Sequence, residues 1–344
     1  MAIKPERLNE GDVVAVVSPS WGGPSVFPKI YEGGIKFLEN ELGLIIKEYP
    51  TARADAEFLK NNPEARAKDI NNAFADKEVK AIFATIGGDD SVRILPYLDD
   101  KVIKNNPKIL MGYSDTTTLL THINQLGLVT FNGPAIMSGF SQADKFPDQF
   151  RSHVREMLFE PQTKHQYTGY KQYSQGYQDW SKPQTKKLKS RKNSKCWNWL
   201  QGDEVVQGKL FGGCMDVLEF MKGTEFWPKP NYWKEKILFL ETSEDKPSPN
   251  QVKCMLRNYG MQGVYNKING VLFGRARDYS DKEKEELNQN ILEVIAKEFN
   301  RPDLPIVTDM DFGHTDPQII LPLGIKAEID CKNKKFYLVE SPVK

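Results

Sequence analysis

Ser114 lies at a turn of the kind in which a serine can act as a nucleophile. It follows the apolar segment Lys108–Met111 within Gly-Tyr-Ser-Asp-Thr at residues 112–116, and a helical pattern begins at Thr116. A sharp strand-to-helix turn exposes the serine hydroxyl and points the next backbone N–H, that of Asp115, at a developing oxyanion. The G-x-S-x-G form of this turn is incomplete here, because Thr116 replaces its final glycine. Serine and aspartate are also common helix caps, so this segment alone supports either role.

A serine nucleophile needs a neighbouring base, and histidine is the usual base near neutral pH. The chain has four histidines. His122 follows the serine on the same predicted helix at a distance of about 12 Å, which is too far for a hydrogen bond. His153 is in a charged helical pattern and His165 in a polar segment, so we expect both at the surface. His314 lies in the turn-rich segment 311–317 just after a predicted strand, and loops of this kind often carry function. His314 is therefore the best candidate.

A carboxylate at another strand end would complete such a site by orienting the histidine. Glu241 directly follows the apolar segment Lys236–Leu240. Glu244 and Asp245 are rivals that lie further from the predicted strand. Alternatively, Glu241 is only a solvated charge at the strand end. The resulting order of serine, glutamate and histidine along the chain is one of those found in serine hydrolases.

Gly87, Gly88 and Asp89 end a third apolar segment. Two glycines permit close approach of the backbone to a ligand, and their N–H groups would supply the second half of an oxyanion hole. A turn before a capped helix explains the two glycines equally well.

Apolar, β-rich segments alternate with helical patterns over the first half of the chain. The predicted strands cover residues 12–18, 44–49, 81–86, 108–111 and 129–131, and the predicted helices cover 28–42, 63–74, 91–98 and 116–126. This alternation predicts an α/β fold with a parallel, doubly wound sheet. Ligands bind beyond the carboxyl ends of the strands in such sheets.

The α/β pattern resumes after Gly208. Strands are predicted at 208–211, 236–240, 268–273 and 305–308, helices at 250–259 and 282–299, a further helix after Gly212-Gly213, and a terminal β-hairpin at 325–339. We therefore expect a nucleophile domain over residues 1–160, a polar connecting segment over 161–205, and a smaller C-terminal α/β domain over 206–344. The C-terminal domain would carry Glu241 and His314.

The connecting segment differs in composition from the rest of the chain. Residues 162–201 are polar and include the basic run Lys186–Lys192. A structureless stretch of this length in a compact protein is usually a linker or a functional lid, and a solvated connector is the simpler alternative. Aromatic residues within it indicate partial packing or substrate contact: Tyr173, Tyr177, Trp180, Trp197 and Trp199.

Composition narrows the class of protein. The 344 residues carry 47 Lys and Arg against 46 Asp and Glu, a net charge of +1, which gives no general attraction to a nucleic acid polymer or an anionic membrane. The N-terminus lacks the apolar region of a signal peptide, and no apolar run approaches a membrane span. The four cysteines are scattered without a metal-binding spacing, which is typical of reduced thiols in a cytoplasm.

Several short segments resemble, in their order along the chain, the LD-carboxypeptidase and microcin C immunity (MccF-like) family of serine peptidases. The matching segments are Val17–Ser20, Thr85–Asp89, Gly112–Thr116, Gly208–Gly213, Phe239–Thr242, Phe312–Pro317 and Leu321–Gly324. The resemblance implies a flavodoxin-like N-terminal domain and a smaller C-terminal α/β domain, with the site between them. It implies a Ser114–His314–Glu241 triad, an oxyanion hole from the backbone of Asp115 and Gly88, and no metal or other cofactor. It also implies a homodimer in the bacterial cytoplasm.

The resemblance leaves two substrate classes. LD-carboxypeptidases remove the terminal D-alanine from the murein tetrapeptide, whereas immunity-type members cleave the bond between an acidic aminoacyl group and a nucleotide phosphoramidate or sulfamate. The long polar segment looks like the extended loop of the immunity type, with Trp180 as the side chain that stacks on the base. An acidic aminoacyl-nucleotide of the microcin C type is therefore the first expectation, and a murein peptide is the alternative. Alternatively, Trp180 only packs against the rest of the protein and holds the loop in place.

The resemblance implies further substrate contacts, and the sequence departs from the family next to one of them. Gly87, Asp89 and Gly213 are expected to contact the substrate beside Trp180. Cys214 stands where the immunity type has asparagine, which alters the expected contacts, and a buried cysteine is the simplest interpretation of it.

Two other classes of function compete with a serine hydrolase. A metal-dependent hydrolase would use the clustered residues Asp309, Asp311, His314 and Asp316 with Asp89 and Asp90 opposite, but their spacing matches no standard ligand motif. A non-catalytic protein would use the same cleft to bind a peptide or nucleotide. The full set of triad residues favours the enzyme.

Overall fold

Residues 2–344, which the computed structural model describes, form ten α-helices and seventeen strands. The helices are α1 Gly23–Val26, α2 Pro28–Leu42, α3 Ala56–Asn61, α4 Pro63–Ala75, α5 Asp100–Asn105, α6 Thr117–Gln125, α7 Asp148–Leu158, α8 Met215–Met221, α9 Pro249–Met261 and α10 Asp281–Leu292. The strands are β1 Val13–Val17, β2 Ile45–Glu48, β3 Val79–Ala84, β4 Ile109–Gly112, β5 Thr130–Asn132, β6 His165–Gln166, β7 Gln172–Gln175, β8 Lys192–Asn193, β9 Asn198–Gln201, β10 Val205–Cys214, β11 Lys236–Glu241, β12 Gly270–Gly274, β13 Ile306–Met310, β14 Thr315–Asp316, β15 Leu321–Leu323, β16 Lys326–Asp330 and β17 Lys335–Leu338.

A six-stranded sheet forms the first half of the molecule, in the order β15-β5-β4-β3-β1-β2. Strands β1 to β5 run parallel to one another, so the predicted doubly wound α/β sheet is confirmed. Helices cover both faces of such a sheet, which explains why β1, β3 and β4 are almost continuously apolar and buried. The edge strand β15 comes from the C-terminal part of the chain and pairs antiparallel with β5.

An eight-stranded sheet forms the second half, in the order β6-β17-β16-β10-β11-β12-β13-β9. Its four central strands are parallel, and the predicted terminal hairpin is present as the antiparallel pair of β16 and β17. The prediction that β10 ends before Gly212-Gly213 is wrong. Because β10 stays in register with β11 as far as the pair Cys214–Glu241, the strand includes both glycines and α8 begins at Met215.

The connecting segment is not the structureless stretch that its polar composition predicts. It contains four short strands: β6 pairs with β17, β9 pairs with β13, and β7 lies between β8 and β14 in a three-stranded sheet. Tyr167, Tyr170 and Tyr173 are buried. The aromatic residues provide the apolar surface that holds an otherwise hydrophilic segment on the sheets.

No helix among residues 2–344 combines the length and the apolar character that crossing a membrane requires.

Helix α2 packs so closely on the loop after β5 that its two adjacent glycines differ in their surroundings. A Cβ atom added at Gly34 would lie 2.3 Å from the Ile136 carbonyl oxygen, well inside van der Waals contact. A Cβ atom added at Gly33 would lie 3.6 Å from its nearest neighbour, the Ser141 carbonyl oxygen, at an ordinary contact distance. The close packing of α2 on the loop therefore requires glycine at position 34, whereas a small side chain fits at position 33.

These neighbouring positions form a matched pair for a stability test. We expect Gly33→Ala to stabilise the protein by about 0.5–1 kcal/mol, because alanine favours the helical backbone. Gly34→Ala gains the same helix propensity but forces the helix off the loop, so we expect it to destabilise the protein by about 1–3 kcal/mol. Urea unfolding followed by circular dichroism measures both changes. Equal effects of the two substitutions would contradict the packing argument.

Candidate active site

Ser114 lies immediately beyond β4, at the first position of a 3₁₀ turn, Ser114–Thr116, that leads into α6. Its φ angle is +58°. A residue with a side chain is strained in this left-handed region, by about 1–2 kcal/mol, and such strain is typical of functional turns. The turn presents the serine hydroxyl at the carboxyl end of the parallel sheet, as the sequence predicts for a nucleophile.

The structure brings Ser114, His314 and Glu241 together although they lie far apart in the sequence. His314 Nε2 is 3.1 Å from Ser114 Oγ, and His314 Nδ1 is 2.8 Å from Glu241 Oε2. Glu241 is the last residue of β11, and His314 lies in the loop between β13 and β14. His314 and Glu241 are buried, whereas Ser114 is partly accessible. This is the hydrogen-bond geometry in which a histidine can remove the serine proton while a carboxylate fixes the ring.

The surroundings of His314 act on its pKa in opposite directions. Burial by itself lowers the pKa, because it disfavours the charged ring. The negative charge of Glu241 and its hydrogen bond to the ring outweigh burial, and Glu244 adds to them, so the pKa of His314 is raised above its usual value. The imidazolium formed when this histidine accepts a proton is therefore stabilised.

The Gly87-Gly88 turn contacts the serine directly. A Cβ atom added at Gly87 would lie 2.8 Å from both Cβ and Oγ of Ser114 and 3.2 Å from the Asp115 nitrogen. Asp115 lies in the first turn of a helical segment, where backbone N–H groups have no partner within the helix. The two backbone segments expected to form an oxyanion hole therefore lie side by side next to Ser114 Oγ.

The side chain of Asp115 ties these two segments together, a role that the sequence analysis missed. Its Oδ2 accepts hydrogen bonds from the backbone N–H groups of Asp90 (3.1 Å) and Ser91 (2.7 Å). Ser91 Oγ in turn donates to the Asp115 carbonyl oxygen at 2.6 Å. Burial raises the pKa of this carboxyl group. The carboxylate thus fixes the loop after β3 relative to the nucleophile turn.

Ser114 and His314 open onto a cleft of about 560 Å³ between the two sheets. Of the predicted substrate contacts, Gly87, Asp89 and Trp180 line this cleft, and so does Gly88, which is predicted for the oxyanion hole. Gly213 is not among the lining residues, since it packs against Thr117 of α6.

Trp180 belongs to an aromatic wall that the sequence analysis only partly identified. Its ring stacks on Tyr177 at a centroid distance of 5.2 Å, and the Tyr177 hydroxyl lies 2.5 Å from that of Tyr113. The Tyr113 ring packs edge-on against His314 at 5.1 Å. Trp180 is thereby connected through two tyrosines to the histidine.

Trp21 and Asp216 also line the cleft and were not predicted. Trp21 directly follows the motif Val17–Ser20, and Asp216 lies two residues beyond Cys214. Their positions next to these motifs are the feature of the sequence from which a place in the site could have been predicted. Cys214 itself is fully buried, as expected, and burial raises its pKa well above the usual value.

The other three histidines do not compete with His314 for Ser114. His122 Nε2 lies 2.7 Å from an oxygen of Asp100, away from the cleft. The prediction that His153 and His165 are at the surface is wrong: their exposed fractions are 7% and 8%. They pack against each other and against Tyr167, because α7 and β6 meet over the terminal hairpin.

Four of the carboxylates proposed as ligands in a metal-dependent hydrolase instead have separate partners. Asp90 forms a bidentate pair with Arg66, Asp309 lies 3.0 Å from Lys284 Nζ, and Asp311 is 2.6 Å from Arg275 Nη1. Asp316 accepts a hydrogen bond from Gln142. They therefore do not converge on His314 as a ligand set.

A different group of possible ligands within residues 2–344 is His153, Glu156 and His165. His153 Nε2 accepts the backbone N–H of Ile320 at 2.8 Å. A neutral imidazole that accepts at one nitrogen carries its proton on the other, so His153 has no free lone pair to offer a metal ion. The hydrogen bond to Ile320 therefore removes His153 from this set of possible ligands.

Comparison with known proteins identifies the family. The sequence model of the LD-carboxypeptidase N-terminal domain matches residues 14–133, and that of the LD-carboxypeptidase C-terminal domain matches residues 207–329. The chain therefore belongs to the LD-carboxypeptidase family, which makes it a serine carboxypeptidase-type enzyme. The resemblance inferred from short motifs is confirmed.

Relatives of both expected substrate classes resemble the chain to a similar degree. The microcin C7 self-immunity protein MccF of Escherichia coli is 27% identical, covering 97% of this chain and 94% of its own. The probable murein peptide carboxypeptidase of Bacillus subtilis is 29% identical, covering 96% and 92%. Sequence identity therefore does not distinguish the two classes.

Two solved structures share the fold at high similarity. An MccF-like protein from Streptococcus pneumoniae in complex with AMP has a TM-score of 0.85 and 28% identity, covering 95% of this chain and 98% of its own. MccF in complex with aspartyl sulfamoyl adenosine has a TM-score of 0.84 and 25% identity, covering 99% and 100%. The two-domain α/β architecture is thereby confirmed.

The balance of effects on His314 predicts how it titrates. In the wild-type protein we expect its pKa, measured by NMR of the ring nitrogens, to lie above the ordinary value of about 6.5. Because the pKa is raised on folding, the stabilisation that it contributes is full below pH ~6.5 and is lost as the pH rises through the folded value. Glu241→Gln removes the negative charge, so we expect the pKa to fall below that of the wild type.

His153 serves as the internal control in the same spectra. Burial, with a smaller effect of His165, lowers the pKa of His153 to about 3. His153 should therefore stay neutral over the pH range in which His314 titrates, both in the wild type and in Glu241→Gln. An unchanged His314 pKa in Glu241→Gln would show that Glu241 does not set the titration.

Proposed function

We propose that this enzyme hydrolyses an amide bond through a covalent intermediate on Ser114, with His314 as the general base and Glu241 as the residue that orients it. The observation that carries the proposal is the pair of hydrogen bonds that His314 makes to Ser114 Oγ and to Glu241. Neither Ser114 nor Glu241 has another role that accounts for this geometry. Ser114 does not cap the following 3₁₀ turn with its side chain, and Glu241 is fully buried rather than solvated at a strand end.

The proposed reaction proceeds in two stages. His314 Nε2 removes the Ser114 proton as Oγ attacks the carbonyl carbon, and the N–H groups of Asp115 and Gly88 stabilise the oxyanion that forms. The histidine then protonates the leaving nitrogen, the C–N bond breaks, and an acyl-enzyme remains on Ser114. A water molecule deprotonated by His314 attacks this ester, and the serine leaves with the proton. Glu241, hydrogen-bonded to Nδ1, orients the ring and stabilises the imidazolium in both stages.

We propose an aminoacyl-nucleotide with an acidic acyl group as the substrate class. The support is the position of Trp180, because an indole stacked on Tyr177 at the wall of the same cleft offers a flat surface for a base. The relatives bound to AMP and to aspartyl sulfamoyl adenosine support a ligand of this class. From the family resemblance we further propose a homodimer in the cytoplasm.

The murein tetrapeptide is the second candidate substrate. The Bacillus subtilis relative favours it, since it is named a murein peptide carboxypeptidase and is as similar to this chain as MccF is. A peptide that ends in D-alanine has no aromatic base, so it would make no stacking contact with Trp180. This difference separates the two candidates.

Replacing the nucleophile tests the reaction. We expect Ser114→Ala to lower kcat by about four orders of magnitude or more, because Ser114 is the hydroxyl that His314 can deprotonate. Release of aspartate from aspartyl sulfamoyl adenosine, followed by mass spectrometry, measures the loss. Ser141→Ala, outside the cleft, should retain activity within a few-fold of the wild type. Full activity of Ser114→Ala would disprove the proposed nucleophile.

Replacing Trp180 tests the substrate class. Stacking on a base contributes about 1–3 kcal/mol, so we expect Trp180→Ala to raise KM for aspartyl sulfamoyl adenosine by about 5- to 150-fold, and Trp180→Phe to raise it much less. Hydrolysis of a murein tetrapeptide should not depend on this residue. If Trp180→Ala hydrolyses the nucleotide conjugate normally, or if the wild type prefers the tetrapeptide, the aminoacyl-nucleotide proposal fails.

A further inference from the structure

A second cavity, of about 580 Å³, lies between the connecting segment and the loop that precedes α7. Lys171, Leu188 and Arg191 of the segment line it together with Lys145 and Phe146 of the loop. In the part of the chain that the structure describes, it shares no lining residue with the catalytic cleft. Its volume is in the range of small-molecule binding sites. We call this cavity the basic pocket.

The basic pocket collects positive charge that no acidic side chain compensates. Lys145, Lys171 and Arg191 line it, whereas its described lining includes no aspartate or glutamate. Within residues 2–344 none of these three side chains forms an ion pair, although Lys182 of the same segment pairs with Asp179 at 3.1 Å. Since the whole chain carries a net charge of only +1, three unpaired cations at one cavity are a local feature of the fold.

Lys145 illustrates the electrostatic consequence. Its side chain is half-buried, and burial lowers the pKa of Lys145 despite the opposing charge of the exposed Asp144. The connecting segment adds Lys171 and Arg191 to the same cavity, and like charges placed together disfavour one another. An anion in the pocket would supply the missing opposite charge to all three cations.

Much of the remaining lining is apolar. Phe146 and Tyr173 are 8% and 7% exposed, Leu188 is half-buried, and Pro317 is buried. A ligand in the pocket therefore meets charged donors and an apolar surface side by side.

We propose that the basic pocket binds a small organic phosphate, with its dianionic group held by Lys145, Lys171 and Arg191 and its apolar part against Phe146 and Leu188. Phosphate suits this site better than a carboxylate, because three cations match a dianion and because a guanidinium forms paired hydrogen bonds with phosphate oxygens. The apolar surface inside the cavity favours a small molecule over an extended polyanion, whose charged backbone has no apolar group to cover it.

A ligand in the basic pocket would also act on the wall of the catalytic cleft. Gln178 lies in the stretch 177–180, whose two aromatic side chains line the cleft. Its side-chain amide accepts the Thr185 N–H at 3.0 Å and donates to the Lys187 carbonyl oxygen. The next residue, Leu188, lines the pocket. Because the two walls are joined in this way, binding at one site should be coupled to binding at the other.

Calorimetry on the full-length protein with phenyl phosphate, inorganic phosphate and phenol tests the site. We expect phenyl phosphate to bind more tightly than the other two, and less tightly as the salt concentration rises. Arg191→Gln should weaken its binding by about tenfold or more, because a hydrogen bond between two charged groups is lost. Lys189→Gln is the matched control: Lys189 belongs to the same basic run but is exposed and does not line the pocket, so binding should stay within about twofold of the wild type.

Three results would overturn the inference. Equal weakening by Arg191→Gln and Lys189→Gln would show that the whole basic run attracts anions, as a site for an extended polyanion does. Unchanged binding in Arg191→Gln would place the ligand elsewhere, such as in the catalytic cleft. Binding of inorganic phosphate as tight as that of phenyl phosphate would remove the role of the apolar surface.

The inference does not depend on the reaction proposed for Ser114. The inactive Ser114→Ala protein should bind phenyl phosphate as tightly as the wild type does. Hydrogen exchange measures the coupling to the cleft wall: saturating phenyl phosphate should slow amide exchange over residues 177–191 several-fold in the wild type and not in Arg191→Gln. Unchanged exchange in the wild type with the ligand bound would show that the two walls are not coupled.

Discussion

The two hydrogen bonds of His314 constrain the rest of the molecule, because they join residues that belong to different sheets. Ser114 follows a strand of the six-stranded sheet, and Glu241 ends a strand of the eight-stranded sheet. A shift of about 1 Å between the sheets would break one of the two bonds. The fold therefore has to hold two separately built layers at a fixed distance.

Several contacts provide that rigidity. Strand β15 leaves the C-terminal half of the chain to pair with β5, and the Cys214 N–H donates to Thr117 Oγ1 at 3.1 Å, which connects the end of β10 to the helix behind the nucleophile. The loop that carries His314 is held at Asp311, whose carboxylate accepts from Arg275, from the Trp197 indole and from the Tyr170 backbone. Removing one partner from such a buried pair costs about 3–5 kcal/mol.

The connecting segment thus has a structural role beside its proposed substrate contact. Tyr170 and Trp197 hold the loop of His314 by donating hydrogen bonds to Asp311. Tyr177 and Trp180 line the cleft onto which His314 opens. One face of a polar segment is built into the site while its basic run remains exposed. This division explains why composition alone predicts an unstructured connector there.

Features that depend on residues close in the sequence could be predicted, whereas features that depend on residues far apart in the sequence could not. Strands β1 to β5 and helix α2 were predicted nearly to their ends, because local hydrophobic periodicity determines them, whereas the edge strand β15 was not predicted. The burial of His153 and His165 was not, since it depends on β6 pairing with a hairpin about 170 residues away. The same holds for Asp115: its type at a turn predicts a cap, and only the tertiary structure shows which loop its carboxylate holds.

The raised pKa of His314 acts on the proposed reaction in two opposite ways. Negative charge around the histidine favours its protonated form, which stabilises the imidazolium of the reaction but reduces the fraction of neutral base in the empty enzyme. Glu241 supplies most of this negative charge through its hydrogen bond to the ring, and Glu244 adds to it from the wall of the cleft. The carboxylate that orients the base therefore also determines how much of it is neutral at a given pH.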